Sequence, residues 1–165
     1  VKELNGLSTK VLDTRKTTPL IRFLEKEAVK IGGGINHRYG LYDMVMLKDN
    51  HNDFAGGIEK SINKTVQYLK ENKLNLKIEV ETRNIDEVKE VLKIGKIDRI
   101  MLDNFTYDDM KKAVKLIDGK YETEASGGIN IKTIRKYAEC GVDYVSVGEL
   151  THSVSNMDLS LKAIK

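Results

Sequence analysis

Tryptophan is absent from these 165 residues, and there is a single proline and a single cysteine. One thiol, Cys140, closes no intramolecular disulfide and builds no cysteine metal cluster, which fits a reducing, cytoplasmic compartment. Placed just before Gly141, it reads as a small buried residue at a helix end. No apolar run approaches the roughly 18 residues of a membrane span, and no charged start leads into an apolar stretch of the signal-peptide kind. A soluble chain with no membrane partner is expected. Charge of one sign is lacking too: 28 Lys and Arg stand against 25 Asp and Glu, which excludes the basic footprint of a nucleic-acid binder. The three histidines have no i, i+4 spacing, which argues against zinc, and no serine occupies a nucleophile elbow. Linkers rich in Pro, Gly or Ser are missing, so residues 1–165 read as one domain. The chain opens Val1-Lys2-Glu3-Leu4 without an initiator Met and reaches chemically loaded sequence by Arg15. A preceding segment is therefore expected.

What is present is an alternation of short β-branched runs with longer amphipathic segments, the pattern of βα units around a parallel sheet. Strands are expected at Lys10–Asp13, Met44–Lys48, Lys77–Glu81, Arg99–Asp103, Glu122–Ala125 and Tyr144–Val147, with Ile35–Tyr39 as a short extra one. Thr18-Pro19 reads as an N-cap followed by proline at the first helical position, and that helix runs to Gly32-Gly33-Gly34. Further helices are expected at Ile58–Glu71, Ile85–Lys93, Tyr107–Ile117 and Ile131–Cys140. Asn84 with Glu87 and Thr106 with Asp109 have capping-box spacing, and Asn130 and Gly141 bound the last helix. The fold class is α/β, an incomplete or open barrel of about six or seven parallel strands with outer helices. An open doubly wound sheet competes, because periodicity cannot close a sheet.

Almost every apolar strand ends in a polar or glycine-containing cluster: Asp13-Thr14-Arg15-Lys16, Lys48-Asp49-Asn50-His51, Glu79-Val80-Glu81, Asp103-Asn104, Glu124-Ala125-Ser126-Gly127-Gly128 and Gly148. In a parallel barrel these ends share one rim, where such folds place their sites. Arg15, Lys16, Arg38 and Lys48, with His37 and His152, call for a polyanionic ligand. Glu81 and Asp103 are hard carboxylates of the kind that hold Mg²⁺ beside phosphates or accept from ribose hydroxyls. Ser126-Gly127-Gly128 offers backbone N–H groups to an oxyanion. Each piece also has a bland reading: the Gly-Gly pair as a structural turn, His51 and Asp53 as a helix start, and Gly32-Gly33-Gly34 as a stop.

At these residues the chain resembles the quinolinate phosphoribosyltransferase family, also called nicotinate-nucleotide pyrophosphorylase. The stretches that carry the resemblance are Asp13-Thr14-Arg15-Lys16-Thr17-Thr18-Pro19, Gly32-Gly33-Gly34-Ile35-Asn36-His37-Arg38 and Leu47-Lys48-Asp49-Asn50-His51. Glu79-Val80-Glu81, Met101-Leu102-Asp103-Asn104-Phe105, Ser126-Gly127-Gly128-Ile129 and Gly148-Glu149-Leu150-Thr151-His152-Ser153 follow in the family's order. The resemblance implies an enzyme that joins quinolinate to phosphoribosyl pyrophosphate with Mg²⁺, releasing pyrophosphate and CO₂. It implies that Arg15, His37, Arg38 and Lys48 hold the quinolinate carboxylates and that Lys16 lies near the phosphoribosyl pyrophosphate. Glu81 and Asp103 would contact ribose and metal, with Lys48, Glu81 and Asp103 as the catalytic set. Ser126, Gly127, Gly128, Gly148 and His152 would bind its phosphates.

The resemblance further implies an N-terminal α/β sandwich domain that is absent here, so the chain would be the C-terminal barrel alone, impaired in activity, and a homodimer or higher homo-oligomer when full length. Two positions depart from the family pattern. Leu20 stands where Gly is common, on what is read as a first helical turn. Glu149 stands where a small residue is usual, a carboxylate that must turn away from phosphate or pair with a cation. Two other readings stay open, a non-catalytic phosphate- or phosphosugar-binding fragment and a barrel isomerase or synthase that shares only the phosphate turn.

Overall fold

The computed structural model of the chain describes residues 1–155 and 157–164. Six strands, β1 (Lys10–Leu12), β2 (Val45–Leu47), β3 (Ile78–Thr82), β4 (Arg99–Asp103), β5 (Glu122–Ser126) and β6 (Tyr144–Ser146), form one parallel sheet. Their order is β1-β6-β5-β4-β3-β2, so β1 and β2 are the two edges and the last strand, β6, lies beside the first. Among the described residues β1 and β2 do not pair. The open barrel expected from the sequence is thus the observed one. The extra strand at Ile35–Tyr39 shrinks to a single parallel bridge between Ile35 and Leu12. Residues 36–44 then cross from that bridge to β2 as irregular chain.

Period-two alternation divides each strand between two environments. Ile78 and Val80 of β3, Ile100 and Leu102 of β4, Ala125 of β5 and Val145 of β6 join the apolar core beneath the helices. The alternate residues Glu79 and Glu81, Arg99, Met101 and Asp103, and Glu122, Glu124 and Ser126 face the barrel interior. All five positions of β3 are buried, yet two carry carboxylates, so the interior is polar by construction.

Outside the sheet lie α1 (Arg22–Ile31), α2 (Asp49–Ala55), α3 (Ile58–Glu71), α4 (Ile85–Ile94), α5 (Tyr107–Ile117), α6 (Ile134–Ala138) and α7 (Glu149–His152). The caps expected from spacing form: Asn84 accepts from the Glu87 N–H and Thr106 from the Asp109 N–H. Helix α6 is shorter than the expected Ile131–Cys140, because residues 131–133 wind as turns and the Asn130 side chain caps the Lys132 N–H instead of a helix. Cys140 is buried just past that helix, as expected. Helix α2 is the one that the reading of His51 and Asp53 as a helix start implies; His51 Nδ1 accepts from the Lys48 N–H and secures its first turn.

Helix α1 begins at Arg22 rather than beside Thr18-Pro19, and this corrects the reading of Leu20. Glu25 reaches back to accept from both the Thr18 N–H and its hydroxyl, which leaves Pro19 and Leu20 in a turn outside the helix. Leu20 adopts φ +69°, a left-handed backbone that costs a side chain with Cβ roughly 1–2 kcal/mol.

The seam between β1 and β2 is organised by one carboxylate. Asp13 Oδ1 accepts from Lys26 Nζ of α1 at 2.5 Å and from the His37 N–H at 2.8 Å, while Oδ2 accepts from Asn36 Nδ2. Lys26 also donates to the His37 carbonyl, and Asn36 to the Lys26 carbonyl. Asp13 is fully buried and Lys26 is 2% exposed, so every partner of this ion pair is supplied by protein.

Replacing Leu20 by Gly is expected to raise the urea unfolding midpoint, with a gain of about 0.5–1 kcal/mol, since relief of backbone strain outweighs the added chain entropy of glycine. Leu20 is 97% exposed, so no packing is lost. An unchanged or lower midpoint would show that no strain is stored at this turn.

Candidate active site

The carboxyl ends of the strands open onto a cleft of about 830 Å³. Every residue singled out from the sequence lines it: Arg15, Lys16, His37, Arg38, Lys48, Glu81, Asp103, Ser126, Gly127, Gly128, Gly148 and His152. Parallel strands deliver this convergence, because each βα connection leaves the sheet on the same rim.

Cations dominate the side nearest the seam. Arg22 of α1 holds the loop after β1 by donating to Thr17 Oγ1, the Arg15 carbonyl and the Tyr39 carbonyl. Thr151 of α7 donates its hydroxyl to the Lys16 carbonyl at 2.7 Å. These contacts fix the backbone of Arg15 and Lys16 while leaving their side chains to the cleft. Arg38 reaches across the seam, with Nη1 donating to the Met44 carbonyl at 3.3 Å and Nη2 lying 3.6 Å from Met46 Sδ. Burial and then the nearby Arg15 charge lower its pKa from the ordinary guanidinium value. Buried Arg15 Nε has no hydrogen-bond partner. Neither arginine forms an ion pair among the described residues. Two guanidinium groups close enough to repel, neither in a salt bridge although the Glu79 and Asp43 charges act on Arg38 from farther off, make a site for an anion.

Acids line the opposite side. Lys48 Nζ donates to Glu81 Oε2 at 3.1 Å, and the Asp49 N–H reaches Glu81 Oε1 at 3.4 Å. Asp103 accepts only from Asn104 Nδ2, which leaves carboxylate oxygen turned to the cleft. Glu149 also lines the cleft and forms no ion pair among the described residues, so the cation partner expected for it is not supplied.

The Ser126-Gly127-Gly128 turn is shaped by glycine. Gly127 has φ +101°, and a Cβ there would collide with the Asn104 side chain, whose own residue is left-handed at φ +55°. At Gly148 the reason is close approach, since a Cβ would lie 2.8 Å from His152 Nε2. His51 and Asp53 serve structure: His51 caps α2 and Asp53 pairs with Arg83.

At the floor of the cleft His37 meets two buried acids, Glu79 and Glu124, to which sequence reasoning gave no role. His37 Nε2 is 3.0 Å from Glu79 Oε2 and 3.1 Å from Glu124 Oε2. Both are close contacts with poorly aligned N–H geometry, and Nε2 makes no full hydrogen bond. Arg99 Nη1 donates to Glu124 and Nη2 to Glu122, and its guanidinium stacks 4.2 Å over the Tyr144 ring. Burial, then the facing charge of Glu124, raises the Glu79 carboxyl above its ordinary range. Burial pushes Glu124 the same way, but His37 and Arg99 outweigh it and hold it low.

At His37 two demands oppose each other. Burial lowers its pKa, yet hydrogen bonding and charge from Glu124 and Glu79 favour the doubly protonated ring and raise it to about 9. The Arg38 N–H, however, lies 2.6 Å from Nδ1 and needs a lone pair there. The second is the stronger statement, because a proton on Nδ1 would set two N–H groups head to head at that distance. This geometry favours a lone pair on Nδ1 and a proton on Nε2, the nitrogen that faces the two carboxylates. Period-two spacing from Glu81 and from Ser126 was the available signal for Glu79 and Glu124.

The family model described as Quinolinate phosphoribosyl transferase, C-terminal domain, matches residues 1–162. Quinolinate phosphoribosyltransferase [decarboxylating] 2, mitochondrial, from Nicotiana glauca is 49% identical over 166 aligned residues, covering 92% of this chain and 47% of that protein. A probable nicotinate-nucleotide pyrophosphorylase from Bacillus subtilis is 42% identical, covering 98% of this chain and 54% of that one. The crystal structure of NadC from Streptococcus pyogenes superposes with a TM-score of 0.91 at 41% identity, over 98% of this chain and 55% of that chain. A thiamine phosphate pyrophosphorylase from Pyrococcus furiosus, at 17% identity and a TM-score of 0.55, shares the fold alone. The chain spans about half the length of the curated relatives it matches. On the family match and these identities, the chain belongs to the quinolinate phosphoribosyltransferase family, of which it corresponds to the C-terminal domain.

Proposed function

We propose that the cleft transfers phosphoribosyl from phosphoribosyl pyrophosphate to quinolinate, giving nicotinate mononucleotide, pyrophosphate and CO₂ in NAD biosynthesis. The observation that carries this reading is the Arg15 and Arg38 pair at the seam of the barrel, two guanidinium groups that form no salt bridge among the described residues, with Arg15 Nε buried and unpartnered. A pyridine dicarboxylate answers that geometry, with Lys48 at the opposite wall. Lys16, Ser126, Gly127, Gly128, Gly148 and His152 would receive the phosphates.

The chemistry follows from what faces what. As the bond from the anomeric carbon to pyrophosphate breaks, positive charge develops on the sugar, and Glu81 and Asp103 lie on the wall where it forms. The ring nitrogen supplies the electron pair of the new bond, so positioning is the main task. The ring carboxylate then leaves as CO₂, its bonding electrons staying beside the cationic nitrogen until a proton takes its place. The donor set fits Mg²⁺: Asp103 presents free carboxylate oxygen, and Mg²⁺ is usually held by one or two carboxylates with substrate phosphates. Glu81 would join by loosening its pair with Lys48. When bound, Mg²⁺ would neutralise the departing pyrophosphate.

Because the cleft opens widely to water and the chain spans half of its relatives, the 165 residues alone are proposed to be a poor enzyme. Exposed Phe23, Leu24, Leu41 and Tyr42 fit coverage by further chain or by a second copy in a homo-oligomer. No helix is long and apolar enough to cross a membrane. The cytoplasm is the proposed compartment, on the lone buried thiol of Cys140, although several plant relatives are named as mitochondrial or chloroplastic.

Calorimetric titration with quinolinate, and separately with phosphoribosyl pyrophosphate plus Mg²⁺, tests the assignment of the two subsites. Arg38→Ala is expected to weaken quinolinate by about 1.5–3 kcal/mol, the range for hydrogen bonds to charged groups, and phosphoribosyl pyrophosphate by less. Equal losses would refute the role of Arg38. Asp103→Asn is expected to raise the Mg²⁺ concentration needed for half-maximal turnover in a longer protein that contains this domain; an unchanged Mg²⁺ dependence removes Asp103 from the metal. Pyrophosphate release by the 165 residues is expected to be more than about tenfold slower than by that longer protein, a barrier difference above about 1.4 kcal/mol. Equal rates would mean that the barrel alone preorganises its site.

A further inference from the structure

The buried acids beneath the cleft have no part in the reaction as proposed, yet they touch the residue on which Arg38 depends. His37 is gripped on every side. Asp13 of the loop after β1 accepts from its N–H, Lys26 of α1 donates to its carbonyl, and Glu79 of β3 and Glu124 of β5 face Nε2. Arg99 of β4 stands behind Glu124. On the remaining ring position, Nδ1 accepts from the Arg38 N–H at 2.6 Å.

We infer that Glu79 and Glu124 are positioning residues for the anion site, which act through the tautomer of His37 to fix Arg38. In a neutral imidazole one nitrogen donates and the other accepts. Two carboxylates at Nε2 favour the proton there, which leaves the lone pair on Nδ1. That lone pair holds the Arg38 amide, and the amide sets the backbone from which the guanidinium crosses the seam toward Met44 and Met46. The carboxylates thus aim a cation that they never touch.

His37, Glu79 and Glu124 also have the ligand types and spacing of a metal site, and the same geometry argues against it. A cation would stand beside Arg99 and take the lone pair of Nε2, which forces the ring proton onto Nδ1 and into the Arg38 N–H. The tautomer reading leaves both ring nitrogens with compatible partners.

The identity of the anion, quinolinate, rests on the proposed function; the hydrogen-bond chain does not. Nitrogen-15 NMR of the ligand-free chain reads that chain directly. The expected result at neutral pH is an unprotonated Nδ1 and a protonated Nε2 in His37; a ring protonated on both nitrogens, or on Nδ1 alone, overturns the inference. Two replacements carry the test to the ligand. His37→Asn keeps an acceptor where Nδ1 was, whereas His37→Gln keeps a donor toward the acids and loses that acceptor. Quinolinate affinity is expected to fall at least about threefold further in His37→Gln than in His37→Asn, the value of one neutral hydrogen bond. Equal losses would show that the ring serves the ligand in another way and overturn the inference.

Glu124→Gln is expected to weaken quinolinate roughly threefold to tenfold, with a smaller effect on phosphoribosyl pyrophosphate, and to shift the His37 Nδ1 resonance. An unshifted resonance in the folded variant also overturns the inference. If that variant does not fold, the nitrogen spectrum of the unaltered chain and the His37 pair decide. A chain that binds no quinolinate refutes the proposed function, and the spectrum still decides the tautomer.

Discussion

The buried Asp13 carboxylate is the constraint on which the cleft depends. The barrel is open between β1 and β2, and strand hydrogen bonding places the segment that crosses the gap only at its start, through the bridge of Ile35 to Leu12. Asp13 places it by binding the His37 N–H and the Asn36 side chain at the end of β1. Lys26, reaching in from α1, neutralises the charge and makes its burial tolerable. Removing one partner of such a pair costs about 3–5 kcal/mol, because the other is left charged in an apolar setting. The same cut would release His37 and Arg38, so stability and site geometry share one origin.

From that anchor charge alternates downward through the barrel. The Arg15 and Arg38 pair lies at the seam, His37 below it, Glu79 and Glu124 below that, and Arg99 with Glu122 toward the amino ends of the strands. Each buried charge meets an opposite one within hydrogen-bond reach except Glu79, both of whose oxygens lack a full hydrogen bond. Burying an unpaired acid is costly, and this is why its carboxyl is pushed upward. The apolar core lies elsewhere, between sheet and helices, so the interior is free to carry polar function without loss of the main hydrophobic stabilisation.

Much of the site was legible because parallel strands turn a linear pattern into a spatial one. Polar clusters at strand ends must share a rim, and Arg15, Lys16, Lys48, Glu81, Asp103, Ser126, Gly127, Gly128 and Gly148 of those clusters line the cleft. The bland readings of His51 and Asp53 were also right for a physical reason: both sit within α2, where the His51 ring caps the first turn and Asp53 reaches Arg83. Local reasoning failed at Leu20. Thr-Pro has the look of a helix start, but Glu25 captures Thr18 from within α1 and moves the helix onset past it. A contact seven residues long overrode a local preference.

By itself the sequence determined the α/β class, the succession of strands and helices, the N-caps at Asn84 and Thr106 and the cationic rim, since all of these follow from periodicity and near-neighbour chemistry. It also carried the family, through motifs spread along the whole chain. Only the tertiary structure decided which acids look into the barrel, that Lys26 belongs to Asp13, and that His37 stands between two buried carboxylates and the Arg38 amide. Those facts join residues from three strands, the loop after β1, a helix and the seam. Whether a buried carboxylate is an unpaired liability or half of a hydrogen-bond chain depends on what stands opposite, which no spacing along a single chain encodes.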